Sequence, residues 1–490
     1  MLKRIAPAIC AGLLLALAFP PFNLMFLSFV ALAPLLIDIR GKRFWAAFGR
    51  GYVCGIFFAL PNMFWLEQFV AKWTGSIFYG IIPWILVGAA FSLYFALFAA
   101  AASKAWRSNH AWLIPFLWAG VEVLRSTIPF LFFPWSLLGS SLWKTPIFLQ
   151  PAWWGGPYFL GAWIVLINLL VALFWLKDEY SFKTVRIYVA CTVLVFAASI
   201  LSYLAPLSGK TVRLAAVQPG VDLAFSPKWQ RDAGLAANIP KALSFGAALK
   251  RDLTVLPEAV SEWAAQSDSP TAPFDLNFAE PTIMGGQRNA SGTSYQSMFA
   301  FDGSWKFADK TKLVIFGEYV PFRQYLGFLN GFSLPGGDLS PGSEVKTLDV
   351  GTLRVGGLLC FEALFEEVAR KHATNGAECL AIMSLDDWYQ GTGAIDALKA
   401  GAILRAVENR IPVARSASLG PSMIIDAKGN IVAQAEIGKT TTAQANVISA
   451  TQAPIFLRTI FPWATLLSLA VMIALPLKPD EEAKTPNKRR

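Results

Sequence analysis

The stretch GGLLCFEALF, residues 356–365, closes an apolar run on Cys360 and sets Glu362 two residues beyond it. Apolar runs of this length, bounded by glycines and polar residues, read as buried strands. TVRLAAVQPG, DLTVLPEAV and ECLAIMSLDDWY repeat the pattern around it, with helical stretches such as NIPKALSFGAALKRD and GAIDALKAGAILRAVENR between them. This alternation predicts an α/β layered domain over 207–453, with chemistry-bearing residues emerging at strand ends.

Outside that region the chain is built for a different solvent. Of 490 residues, 55% are hydrophobic and 15% charged, far from the usual soluble proportions. A bilayer core takes about 20 apolar residues per helix. Such runs fall near 5–20, 22–39, 47–65, 76–101, 111–128, 158–176, 187–205 and 455–477. The expectation is a polytopic α-helical membrane domain of eight transmembrane helices, seven in 1–206 and the eighth in 454–478, followed by a charged cytoplasmic tail at 479–490. Lys3 and Arg4 ahead of LALAF have the look of a signal peptide, but FPPF and a second apolar run follow at once. A retained helix is therefore expected. Basic residues gather in alternate short connections: Arg40, Lys42, Arg43 and Arg50, then Lys104 and Arg107, then Lys177, Lys183 and Arg186. That bias places both termini in the cytoplasm and the α/β domain on the far side, the periplasm of a bacterial inner membrane.

The net charge of +10 is spread over those connections, which argues against a nucleic-acid partner. Cys10, Cys54, Cys191, Cys360 and Cys379 are an odd count without C-x-x-C spacing, and His110 and His372 stand alone. Neither a disulfide framework, a metal site nor a cofactor is expected. GTGAIDALKAG lacks the phosphate-loop pattern.

Three segments carry acid, base and nucleophile types. In LPEAV, Glu258 follows the run LTVLP; partial burial at a sheet edge would raise its pKa and suit it to proton transfer. ADKTKLVIFGEYVPF carries Lys310, Lys312 and Glu318, and a lysine beside a reacting carbonyl stabilises the oxyanion and depresses a nearby thiol. In LLCFEALF, a cysteine next to a cation is expected to be largely thiolate, the form that attacks acyl carbon. Taken singly, each segment also reads as ordinary structure: a surface glutamate, a charged turn, a core cysteine.

Taken in order, they resemble the Glu-Lys-Cys arrangement of the nitrilase, or carbon-nitrogen hydrolase, superfamily. Joined to eight spans, the resemblance narrows to the membrane-bound apolipoprotein N-acyltransferases and covers nearly the whole chain. LAFPPF, EVLRSTIPFLFFPWSLLG (122–139), GGPYFLGAWIVLINLL (155–170), AVQPGV with PKWQ, LPEAV, YQS (295–297), KTKLVIFGEYVPF and CFEALF carry it. The resemblance implies a nitrilase-like αββα sandwich, with Glu258 as general base, Lys310 as oxyanion-stabilising lysine and Cys360 as nucleophile. Lys310 is preferred to Lys312 because the family's lysine stands eight residues before the FGE glutamate. Glu318 and Glu362 would support the lysine and cysteine, and Tyr319 and Trp229 would lie near the acyl-binding region. The family's reaction moves an acyl chain from a phospholipid to the N-terminal amine of a diacylated apolipoprotein, so both substrates come from the bilayer. Arg125 would meet a lipid phosphate or anchor the interface. The segment 320–337, with Phe328 and Phe332, would be a lipid-touching flap or an ordinary packed loop. A monomer is expected.

The chain departs from the family's usual pattern where S-N-D-A-W reads SLDDW (384–388), where a glutamine-histidine pair is replaced within AIDALKAG, and where R-A-T/S-N-x-G reads RSASLG (415–420). These departures bear on donor or acceptor preference. A membrane-tethered amidase, in which water resolves the thioester, is the alternative enzyme. A transporter with a fused idle domain is disfavoured by the lack of charge in mid-span.

Overall fold

The computed structural model describes residues 2–128, 132–176, 182–325, 334, 337–449 and 456–474. They form two units, one from Met1–Leu204, Thr392–Ala397 and Ile455–Arg490, the other from Ala205–Gly391 and Leu398–Pro454.

The first unit is helical: α1 (Leu2–Ala18), α2 (Ala33–Ile39), α3 (Phe44–Asn62), α4 (Phe64–Thr74), α5 (Ile77–Arg107), α6 (Ile114–Thr127), α7 (Pro146–Leu149), α8 (Pro151–Leu176) and α9 (Phe182–Leu204), with a last helix at Phe456–Ala474. Every expected apolar run contains helix. Among the described residues, however, five helices are long and apolar enough to cross a bilayer: Phe44–Asn62, Ile77–Arg107, Pro151–Leu176, Thr184–Leu204 and Phe456–Ala474. The first expected span is a helix of 17 residues and the fifth one of 14. The second divides into a 3-10 turn, Met25–Phe29, and the seven-residue α2. The sixth begins within α8, where Gly156 adopts φ 74 and breaks the helix ahead of Pro157. Helix α3 meets α5 through the GYVCG spacing. A Cβ on Gly51 would stand 2.3 Å from the Phe95 carbonyl oxygen, so glycine is what lets the two backbones approach.

The second unit runs β1 (Lys210–Gln218), α10 (Lys228–Ser244), β2 (Leu253–Val255), β3 (Ser261–Trp263), β4 (Thr282–Ala290), β5 (Thr293–Phe301), β6 (Trp305–Asp309), β7 (Leu348–Val350), β8 (Leu353–Leu359), α11 (Glu366–Thr374), β9 (Cys379–Ser384), α12 (Ala394–Asn409), β10 (Val413–Ala417), β11 (Met423–Ile425), β12 (Ile431–Gln434) and β13 (Thr441–Ser449). One sheet has the order β13-β1-β2-β4-β5-β6, with β3 beside β4; the other has β12-β11-β10-β9-β8-β7. The pairs β1–β2, β2–β4, β8–β9 and β9–β10 are parallel.

Alternation along the strands explains the layering. Val212, Leu214 and Ala216 of β1 share one buried core with Val355 and Leu359 of β8 and with Ala381 and Met383 of β9. The two sheets therefore pack face to face. On the outer side of the first, Leu235, Ile239 and Ala242 of α10 cover Val217, Met284 and Phe299. On the outer side of the second, Gly356 lies directly under His372 of α11. The alternation predicts the layered α/β fold, and the αββα order of the layers is the one that the resemblance implies.

Candidate active site

The sheets position the three expected residues at strand ends. Strand β2 lies between β1 and β4, and the chain leaves it through Pro257, whose carbonyl accepts the Gly285 N–H at 3.0 Å. A Cβ on Gly285 would meet Glu258 Cα at 2.8 Å and Leu359 Cδ2 at 3.2 Å. That glycine lets the segment of Glu258 settle against the residue preceding Cys360, from one sheet to the other. Cys360 itself ends β8 at φ 48 and opens the 3-10 turn Cys360–Leu364. Ala259 at φ 61 and Phe316 at φ 58 hold the same left-handed conformation beside Glu258 and Glu318. Each such non-glycine residue costs roughly 1–3 kcal/mol and persists only where its surroundings enforce it.

Lys310 follows β6. Its N–H donates to the Gln296 carbonyl at 2.8 Å and its carbonyl accepts Gly342 N–H at 2.7 Å. The side chain is fully buried, with Nζ 2.7 Å from Glu318 Oε1 and 3.9 Å from Glu258 Oε1. Glu318 uses its other oxygen to accept Val314 N–H at 2.8 Å. Glu362 Oε1 accepts Thr311 N–H (2.8 Å), Thr311 O–H (2.9 Å) and Lys312 N–H (3.0 Å), while Oε2 accepts Leu359 N–H at 3.1 Å. Glu362 thus ties the segment after Lys310 to the residue before Cys360. Lys312 turns to Glu367 at 2.5 Å. Of the two lysines, Lys310 is the one that faces the carboxylates.

Electrostatics decide where the protons rest. Burial pushes the Glu258 carboxyl up to about 7, opposed first by Lys310, reinforced by Glu318, and opposed again by Gln296 and the Cys360 thiol, which favour its charged form. Burial, and then the negative charge of Glu258, push the Cys360 thiol up to about 12, against the pull of Lys310 and of the Leu385 N–H. Burial and the facing carboxylate thus work against the largely thiolate cysteine that the sequence suggests, and the Lys310 ammonium works for it. Burial alone would depress Lys310, but Glu318, Glu258, Cys360 and Glu362 together raise it, so it stays an ammonium. Burial raises Glu362, although Lys310 and three backbone N–H groups favour its charged form.

The structure brings together Glu258, Lys310, Glu318, Cys360 and Glu362. Tyr319 is half-buried at the turn that carries Glu318, its carbonyl accepting Phe316 N–H at 2.8 Å. Trp229 stands in the first turn of α10 and is 73% exposed. Arg125 belongs to the helical unit and is buried. Its guanidinium donates to the carbonyls of Phe133 (3.0 Å), Trp135 and Ser136 (3.1 Å) and lies 4.7 Å from the Phe91 ring centre. The fork, expected to meet a lipid phosphate or to anchor the interface, is taken up by these backbone carbonyls. Phe328 and Phe332 lie outside the described residues.

Sequence reading gave no role to Gln296, Leu385, Asp386 or Tyr389. Asp386 accepts from Ser384 O–H at 2.5 Å and pairs with Arg415. The Tyr389 phenol is raised well above its ordinary value by burial, then by Cys360, Asp386, Glu318 and Glu258. YQS and SLDDWY contain these residues, and the signal available was two adjacent acids directly after a buried strand.

Two family models match the chain: the apolipoprotein N-acyltransferase N-terminal domain over residues 11–170 and carbon-nitrogen hydrolase over 278–454. Lys310 and Cys360 fall inside the second match, and Glu258 precedes it. The apolipoprotein N-acyltransferase of Geobacter metallireducens is 28% identical, over 96% of this chain and 95% of its own. That of Rhizobium etli is 29% identical with the same coverage, and that of Aquifex aeolicus 27% identical over 89% and 97%.

Proposed function

We propose that this chain, which belongs to the apolipoprotein N-acyltransferases and shares their carbon-nitrogen hydrolase domain, acylates lipoproteins in two steps through a thioester on Cys360. In the first step the Cys360 thiol gives its proton to Glu258 as sulfur attacks the ester carbonyl of a phospholipid. The Lys310 ammonium holds the negative oxygen of the tetrahedral intermediate. Collapse breaks the ester C–O bond, and Glu258 returns the proton to the departing lysophospholipid oxygen. In the second step the free amine of a diacylglyceryl-modified N-terminal cysteine attacks the thioester. Glu258 takes the amine proton and passes it to the leaving sulfur, which restores the thiol.

The observation that carries this reading is one buried ammonium held 2.7 Å from Glu318 and 3.9 Å from Glu258, with Gly285 bringing Glu258 against the residue before Cys360. Glu318 and Glu362 act as supports that orient Lys310 and the cysteine turn. Trp229 and Tyr319 contribute to the acyl-binding surface. The eight apolar runs are membrane segments of a bacterial inner membrane, with residues 207–453 on the periplasmic side, and the active form is a monomer. The segment 320–337, expected to be a lipid-touching flap or a packed loop, lies largely outside the described residues. Phe322 and Tyr325, at its start, are 52% and 77% exposed, which suits an apolar surface covered by bilayer.

The test is intact-mass spectrometry of the full chain after incubation with phospholipid, followed by a chase with a diacylated N-terminal cysteine peptide. A fatty acyl adduct on Cys360 that moves to the peptide amine is expected, with ping-pong kinetics. Release of the chain as free fatty acid in the presence of peptide would replace transfer by hydrolysis. Absence of any adduct would overturn the thioester.

A further inference from the structure

Asp387 is buried in the 3-10 turn Asp386–Tyr389 that follows β9, the strand next to the one bearing Cys360. Its carboxylate joins three separate pieces of chain. Oδ2 accepts Leu223 N–H at 2.7 Å, from the segment after β1; Oδ1 accepts Ser418 O–H at 2.5 Å and Leu419 N–H at 3.2 Å, from the segment after β10. These two outer segments also hold each other, through Gly220 N–H to the Ser418 carbonyl at 2.9 Å. The Trp388 ring stacks edge-on against Phe225 at 5.2 Å, so the next residue grips the same β1 segment. Parallel pairing of Leu359 with Met383 sets Cys360 beside the start of this turn, and the Leu385 N–H is among the groups that favour a charged sulfur there.

We infer that Asp387 is a positioning residue for acyl transfer: by fastening its turn to the segments after β1 and β10, it holds the Leu385 N–H against Cys360 as sulfur gains charge. Burial raises the Asp387 carboxyl to about 7, while the Ser418 hydroxyl and the Leu223 and Leu419 N–H groups favour its charged form, in which it offers acceptors only and matches all three donors. An amide of the same shape presents an NH2 group to either Leu223 N–H or the Ser418 and Leu419 donors, and donor against donor pushes the turn away. The Leu385 N–H then drifts from the sulfur. A hydrogen bond to a charged group contributes enough that its loss slows the step about tenfold. Phospholipid binding does not pass through this contact.

The inference rests on Cys360 being the acyl carrier, and its test separates the two. Full-length D387N, S418A and the double variant are compared with the parent in alkylation of Cys360 by iodoacetamide and in thioester formation from phospholipid. Expected for D387N is an alkylation rate and a saturated acylation rate each about tenfold lower, with KM for phospholipid within about twofold. S418A should fall between D387N and the parent, and the double variant should be no slower than D387N, because both changes act through one turn. Unaltered alkylation in D387N, a rise in KM at constant saturated rate, or losses that multiply in the double variant would each overturn the positioning role. Parent protein that alkylates normally but takes no acyl chain would instead sink the thioester reading.

Discussion

Replacing Glu258 with glutamine keeps the shape of the side chain and removes only the base. With burial and the facing carboxylate pushing the thiol up to about 12, preformed thiolate is scarce at neutral pH. Glu258, raised by burial to about 7, is by contrast suited to take a proton near neutral pH. A path in which carboxylate takes the proton during attack is therefore favoured over one that waits for preformed thiolate. The sign follows from the active form being the carboxylate: a raised Glu258 pKa means that acylation in the parent climbs as pH passes about 7 and then levels. E258Q should lose about 10²–10⁴-fold in the acylation rate, the usual worth of a positioned general base. What remains should rise about tenfold per pH unit from about pH 7 to about pH 9, since it depends on titrating sulfur directly. The glutamine also removes the negative charge that holds the thiol up, so Cys360 in E258Q should titrate lower than in the parent while reacting more slowly with phospholipid. Single-turnover acylation followed by intact mass across that pH range reads both effects. An E258Q rate within about threefold of the parent at neutral pH, or a plateau above about pH 7 in both proteins, would refute the proton path.

K310M leaves Glu258 and Glu318 buried without the cation that faces both; acylation should be abolished and the midpoint of Cys360 alkylation should move to higher pH, because Lys310 holds Glu258 down. An unmoved midpoint would contradict that coupling. E362Q places an amide where four donors point at a carboxylate, at about 1–3 kcal/mol for a buried donor left unpaired; thermal unfolding should shift down together with activity, and an unchanged Tm would count against the tie. His372 accepts Thr347 O–H at 2.9 Å through Nδ1 and donates from Nε2 to the Gly357 carbonyl at 3.0 Å. Burial lowers its pKa from 6.5 to about 4. The unfolded chain takes up that proton first, so stability present above about pH 6.5 is lost as pH falls toward 4. H372Q should flatten the slope of Tm against pH in that window, and parallel slopes would exclude His372 as its source.

How far the sequence carries the fold depends on which element is asked. Strands β1, β2, β8 and β9 are legible because their residues are buried on both faces, one against the opposite sheet and the other against α10 or α11, so they read as unbroken apolar runs. Helices of the first unit are legible as apolar runs but not as lengths. Hydropathy averages over residues and does not register that a 3-10 turn, Met25–Phe29, splits off before α2, or that Gly156 breaks α8. Helix α4 escaped notice for a related reason: Glu67 and Lys72 interrupt its apolar residues, and Gly75 at φ 71 ends it before α5 begins.

Glu258, Lys310 and Cys360 could be picked out because each stands at a strand end in a recognisable motif, but their protonation could not. A linear sequence shows an ammonium and a thiol, and nothing in it says that Glu258 faces both from the other sheet or that all three are buried. The same limit applies to the two departures SLDDW and RSASLG, which read as unrelated changes 31 residues apart between Asp387 and Ser418. In the fold they are one feature, since parallel pairing of β9 with β10 brings the two strand ends side by side and Ser418 donates its hydroxyl to Asp387 at 2.5 Å. A buried carboxylate at 387 requires donors facing it, and the serine at 418 supplies one beside the Leu223 and Leu419 N–H groups. The departures are therefore better read as a paired solution for holding the turn beside Cys360 than as two independent losses of a usual motif.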